Sequence, residues 1–320
     1  MKNYKKIFLI LWILPIMFIN WKEPAISTID NRELLSFREI YPTVQDFFDN
    51  LDELEPLLRD RIGFRNKMIF THGNLYNLLF QKLEHPLYEY GEDGEVFFTF
   101  REEQDRQKEN LEFVAFLERA DQYLKDREIP FVVAFNPGKH LVYEEKIPHN
   151  ILVRPKEYEI FVKAMESSNI NFVNNLDYLR GLKDETIYNK KFDVGHWTDR
   201  GAIYGITNIL ERFHEMDPNI EVPDFNEFTK EWVKEKYLPV SNIIINEKVE
   251  EFQGQGGFKN LDPEILNEIR RETRTDEHYR YINIFQNKDL ENGKRILIFR
   301  GSFFNQKEFI YAPSFQEVVE

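Results

Sequence analysis

The chain has 320 residues, enough for one large domain or two, and 42% hydrophobic with 31% charged residues excludes wholesale disorder. A net charge of −14 argues against a nucleic-acid partner, whose run of phosphates needs neutralising, and disfavours broad adsorption on anionic lipid. With no cysteine there are no disulfides, thiolate metal sites or thiol nucleophile, so covalent chemistry falls to Ser, Asp, Glu or His.

Lys2, Lys5 and Lys6 precede the apolar run 7–19, a basic flank before an apolar stretch that holds its basic end inside the cell. This predicts an uncleaved signal anchor, a transmembrane segment over 1–26, with the remainder extracytoplasmic. The run is shorter than the roughly 20 residues that cross hydrocarbon comfortably. Trp12 and Trp21 suit interfacial positions, and the small-x-small site Ala25-Ile26-Ser27 has Lys22 and Glu23 before it.

Residues 27–100 read as a helical lead-in followed by a hairpin. Phe47, Phe48, Leu51, Leu54, Leu57 and Leu58 fall at helical spacing, and Ile69, Leu75, Leu78 and Leu79 mark the apolar side of a second helix. Gly91-Glu92-Asp93-Gly94 predicts a tight turn entering a strand at Val96, because Asp and Gly tolerate positive φ.

From about 101 to 320 the pattern is α/β. A helix over about 101–127 leads into Pro130–Phe135, a continuous apolar run that suits a parallel strand buried on both faces. A helix carrying Tyr158, Phe161, Val162 and Met165 follows, then strands at 170–173 and 295–299. Strands alternating with helices predict a doubly wound, flavodoxin-like parallel sheet. Polar residues 219–293, which include Gln253-Gly254-Gln255-Gly256-Gly257, read as an insertion.

Two segments carry chemistry. In Phe192-Asp193-Val194-Gly195-His196-Trp197-Thr198, the Asp-x-x-His spacing lets a carboxylate accept the imidazole Nδ1–H and turn Nε2 towards a nucleophile. Thr198 or Asp199 can cap the helix that begins near Gly201. The plain alternative is a half-buried histidine beside Trp197. In Ile298-Phe299-Arg300-Gly301-Ser302-Phe303, a serine just past the C-terminal end of a strand stands where α/β folds place ligands. The plain alternative there is a serine capping a turn. Together the segments supply Asp, His and Ser in chain order, and triad order varies freely between folds. The other histidines have no second ligand at metal-like spacing.

The chain resembles the SGNH-hydrolase-like polysaccharide O-acetyltransferases of the alginate type and their Gram-positive DHHW-like relatives. Carrying the resemblance are the N-terminal anchor pattern, Asn31-Arg32-Glu33, Asp60-Arg61-Ile62-Gly63-Phe64-Arg65, the 91–98 block, Asn136-Pro137-Gly138-Lys139, Asp193 with His196-Trp197, and Gly301-Ser302. It implies an SGNH-like fold with permuted motif order and a triad of Ser302, His196 and Asp193. Asn136 and Lys139 become oxyanion or substrate contacts, against the plainer reading of turn residues. The implied activity is acyl transfer to a cell-surface polysaccharide or exopolysaccharide through an acyl-Ser. The acyl group comes from a multipass membrane-bound O-acyltransferase, with no soluble cofactor and no metal. The alternatives are a non-catalytic, polysaccharide-binding component of an export-acetylation complex and a carbohydrate esterase.

Two motifs depart from the alginate pattern. Asp-x-x-His-Trp replaces Asp-x-His-Trp, and Arg300-Gly301-Ser302 replaces Gly-Asp-Ser. Relatives continue beyond the serine through a helix and a last strand, whereas 18 residues follow Ser302, so the C-terminus reads as truncated.

Overall fold

The computed structural model describes residues 3–20, 26–27, 33–85, 87–99, 106–147, 157–239, 241–254, 256–261, 282–288, 290–291 and 293–320. Trp21, the Ala25 end of the small-x-small site, Asn31-Arg32, the start of the helix expected from 101, and Gln255 lie outside them. The chain divides into two compact units, one of residues 1–90 with 235–246 and one of 91–234 with 247–320.

In the first unit the basic-apolar segment folds as helix α1 (Asn3–Met17). At about 1.5 Å per residue it is about 22 Å long, against a hydrocarbon core of about 30 Å. No helix among the described residues is long and apolar enough to cross a membrane. The anchor expected over 1–26 therefore finds no support in a spanning helix among the described residues: α1 stops at Met17 and spends its first turn on polar residues and lysines. Helices α2 (Phe37–Ile40), α3 (Val44–Asp49), α4 (Leu54–Arg61) and α5 (Arg65–Phe80) follow, then strand β1 (Tyr88–Tyr90).

Thr43 and Asp46 cap α3 reciprocally, closing donors that a helix start leaves open. At the end of α4, buried Asp60 accepts the Leu35 N–H at 3.0 Å and buried Arg61 donates Nε to the Leu35 carbonyl at 2.7 Å. The 60–65 motif is thus a structural tie. Asn74 on α5 donates to the Asn242 carbonyl and accepts the Ile244 N–H, both at 2.9 Å.

The second unit begins with the expected turn, where Asp93 and Gly94 take φ of 57° and 72° before strand β2 (Val96–Phe98). Helix α6 (Gln107–Lys125) and strand β3 (Val132–Phe135) come next, then helices α7 (Lys139–Val142) and α8 (Glu157–Glu166). Strand β4 (Asn171–Asn174) pairs in parallel with β3, Val133 opposite Phe172. Val114 and Leu117 of α6 and Met165 of α8 pack with Val133 and Phe172. Helix α10 (Asp199–Met216), reached through α9 (Asn175–Arg180), lies on the other side, where Arg212 donates to Asn171 at 2.9 Å. Alternate strand residues point to opposite faces, so β3 and β4 are covered by helices on both.

Strands β5 (Thr229–Tyr237) and β6 (Ile244–Gln253) pair as a hairpin. They are followed by β7 (Lys259–Asn260), β8 (Ile284–Gln286), β9 (Arg295–Leu297), α11 (Glu308–Tyr311) and β10 (Glu317–Val319). A mixed sheet runs β7-β8-β10-β9, with Val318 parallel to Ile296 and antiparallel to Phe285. The fold is mixed α/β, and among the described residues it is not the single parallel sheet expected. The pattern of exposure gives the reason. In the 295–299 run Ile296 and Ile298 are half-buried, while Leu297 is 60% and Phe299 91% exposed, so this strand buries one face and not two. The 18 residues after Ser302 do form a helix and a strand, and buried Ile310, Tyr311, Phe315 and Val318 join the core of α10.

Candidate active site

The site grows from the segment before α10. Thr198 has extended backbone and caps the helix, its Oγ1 accepting the Gly201 N–H at 3.1 Å and donating to the Thr186 carbonyl at 2.6 Å. Trp197 is buried and lies across α10, where only glycine fits. A Cβ at Gly205 would stand 2.3 Å from Trp197 Cζ3, and one at Gly201 would stand 2.4 Å from the Ile187 carbonyl.

The loop ahead of Trp197 places Asp193 at φ 42°, a left-handed conformation unusual for a side-chain-bearing residue. His196 Nδ1 meets Asp193 Oδ1 at 2.8 Å, and both side chains are partly exposed. The hydrogen bond to Asp193 raises the His196 pKa; partial burial and the charge of Lys307 oppose it. A carboxylate on Nδ1 fixes the tautomer and leaves Nε2 for exchange with a substrate-side group.

Ser302 opens a single 3₁₀ turn, Ser302–Phe304, behind Gly301 and is exposed. Phe303 sets this turn against the histidine motif: its ring meets His196 edge-on at 5.4 Å and Trp197 at 5.2 Å, and its carbonyl accepts the Trp197 indole N–H at 2.8 Å. The three expected residues therefore fall as a hydrogen-bonded pair and a serine one residue from a ring packed on that pair. Arg300, at the departure from Gly-Asp-Ser, pairs with the buried carboxylate of Glu320 at 3.1 Å and bonds Asn305, bracketing the turn. Glu320 also takes the Tyr311 hydroxyl.

The two weaker candidates part company. Asn136 follows β3 and is half-buried, its Oδ1 accepting from Asn175 Nδ2 at 2.8 Å, which leaves its own two N–H protons for another acceptor. Lys139 is 1% exposed, and its Nζ reaches the carbonyls of Val96, Asn189 and Lys190 at 2.8–3.0 Å and Glu95 at 2.7 Å. An ammonium has three protons, so none is left for a substrate. That corrects its expected substrate contact, because the amine is folded inward. Burial pulls its pKa down and Glu95 opposes this.

Sequence reasoning missed residues from the stretch it took for an insertion. Glu247 on β6 accepts the backbone N–H groups of Lys190, Lys191 and Phe192 at 2.5–2.9 Å. Glu250 pairs with Arg200 at 2.8 Å and Lys230 at 3.2 Å, and Asp199 accepts the Phe252 N–H while pairing with Lys307. The signal available was the acids Glu247, Glu250 and Glu251 on β6, which composition alone assigns to a solvated face.

No protein-family model matches the sequence, and no curated protein matches it. Among solved structures the chain is similar to PatB1 of Bacillus cereus, with TM-score 0.55 and 15% identity over 71% of this chain and 84% of that one. It is also similar to a DHHW family protein of Eubacterium siraeum, with TM-score 0.53 and 13% identity over 74% and 83%. The chain shares their fold. PatB1 has also been solved with a sulfonyl adduct, and that structure matches with TM-score 0.54 and 16% identity over 72% of this chain and 83% of that one. This agrees with the resemblance read from the motifs.

Proposed function

We propose that this protein is a serine O-acyltransferase acting outside the cytoplasm on a polysaccharide. The observation that carries the reading is the 2.8 Å Asp193–His196 bond with the Ser302 turn packed on the imidazole through Phe303. Ser302 Oγ attacks the donor's acyl carbonyl while His196 Nε2 takes its proton. Asp193 holds Nδ1–H and stabilises the imidazolium, which then protonates the departing alkoxide to leave an acyl-Ser. A sugar hydroxyl attacks that ester, gives its proton to His196, and Ser302 is regenerated as the sugar carries the acyl group away. Asn136 would present its free amide protons to the oxyanion. The acyl donor is supplied by a membrane-bound O-acyltransferase.

The test is acetyl transfer from a chromogenic ester to an oligosaccharide acceptor. Transfer that survives Ser302→Ala unchanged overturns the assignment. A second reading, a non-catalytic polysaccharide-binding component, is favoured by Arg300-Gly301 standing where a Gly-Asp precedes the serine in the alginate-type pattern; it predicts acceptor binding with no turnover.

A further inference from the structure

The geometry points to Lys139 and Glu247 as a two-sided clamp on the peptide run 189–192 that positions Asp193 for His196. The clamp rests on the acyl-transfer reading for what it positions. Lys139 grips the carbonyl side of this run at Asn189 and Lys190, with 2.8 Å to each. Glu247 grips the N–H side at Lys190, Lys191 and Phe192. Cation on carbonyls and anion on N–H groups are each the favourable sign, and charge-assisted bonds are about twice as strong as neutral ones. The two side chains also attract one another electrostatically.

The residue that follows the clamped run is Asp193. Asp193 stands at φ 42°, left-handed backbone that Asp tolerates, and locally it is held by its carbonyl accepting the His196 N–H at 3.3 Å. The clamp adds to this by fixing, from both sides, the run that leads into Asp193. Glu95 completes it by pairing Oε2 with Lys139 at 2.7 Å and Oε1 with Lys146 at 2.9 Å. Lys139 and Glu247 are thus positioning residues and touch no substrate.

The readout is the titration of His196, followed by NMR of its ring carbon–hydrogen signals in the full chain and assigned with His196→Gln. The groups facing its ring are Asp193, Lys307 and the uncharged Phe303. Asp193→Asn should lower the titration midpoint by removing the acceptor. Glu247→Gln and Lys139→Met should each lower it towards that variant and cut acylation by a small chromogenic ester roughly a hundredfold, the cost of about 1 Å of misplacement. Asn74→Ala, a destabilising control in the first unit, should leave the midpoint in place. A midpoint that stays at the wild-type value in both clamp variants while Asp193→Asn lowers it overturns the clamp. Should Lys139→Met fail to fold, Glu247→Gln alone decides, since Glu247 is half-buried and Gln keeps its shape. If Asp193→Asn itself moves nothing, the Asp–His pair and the acyl-transfer reading fall together with the clamp. If the midpoints shift as expected but no acyl-Ser forms, the clamp stands and the reading alone falls.

Discussion

Gly205→Ala and Gly73→Ala are the same change on two helices, and the structure assigns them opposite signs. In an ordinary helix interior the exchange stabilises by roughly 0.5–1 kcal/mol through lost unfolded-chain entropy. At Gly73 on α5 the new Cβ would meet only Ile243 Cγ1, at 4.0 Å, so Gly73→Ala should gain about that much. At Gly205 the Cβ would lie 2.3 Å from Cζ3, 2.9 Å from Cη2 and 3.1 Å from Cε3 of Trp197. Relief needs more than 1 Å of movement by an indole that is 3% exposed and tied through Nε1 to the Phe303 carbonyl. Overpacking of this kind costs about 1–3 kcal/mol or more, so after the helix gain Gly205→Ala should lose about 1–2 kcal/mol net. Because the displaced ring carries the Ser302 turn, acyl transfer should fall as well. Urea titration followed by far-ultraviolet circular dichroism and by tryptophan fluorescence reads both units. A Gly205→Ala protein as stable as the wild type would refute the packing of Trp197 on α10.

Ser302→Ala and His196→Ala should each lower turnover by about 10⁶, with the double variant adding little, and Asp193→Asn by about 10⁴; rates on the chromogenic ester check this. Because the Asp193 bond raises the His196 pKa, the acidic limb of kcat/KM should lie above the ordinary histidine value and move to lower pH in Asp193→Asn. A raised folded pKa contributes stability that is complete below the unfolded value of about 6.5 and is lost as pH rises through the folded one, so wild type and Asp193→Asn should converge in urea stability at alkaline pH.

How much was legible in the sequence depended on how local each interaction is. Asp193 and His196 are three residues apart on one loop, and Thr198 caps a helix beginning at the next residue, so spacing alone carries both. The β3–α8–β4 unit was legible from periodicity for the same reason. Lys139 was not, since its partners Val96, Asn189 and Lys190 lie 43 to 51 residues away and a turn lysine looks alike whether its amine faces water or the core. Glu247 was hidden in a strand that reads as solvated because its acid is satisfied by backbone N–H groups, which leave no trace in composition. The 295–299 run misled because an apolar run does not say which faces are covered, and Leu297 and Phe299 are exposed. The charge pattern of the N-terminal run suits an anchor and its shortness was legible too, and the helix it forms ends at Met17.

Ser302 is proposed as a nucleophile activated by His196. Incubation of the full chain with a sulfonyl fluoride, followed by intact mass and peptide mapping, tests it directly. A single sulfonyl group should form on Ser302, at least a hundredfold more slowly in His196→Ala, where no base remains to take the Oγ proton. A protein that stays unlabelled, or one labelled at another residue at the same rate in Ser302→Ala, would contradict it.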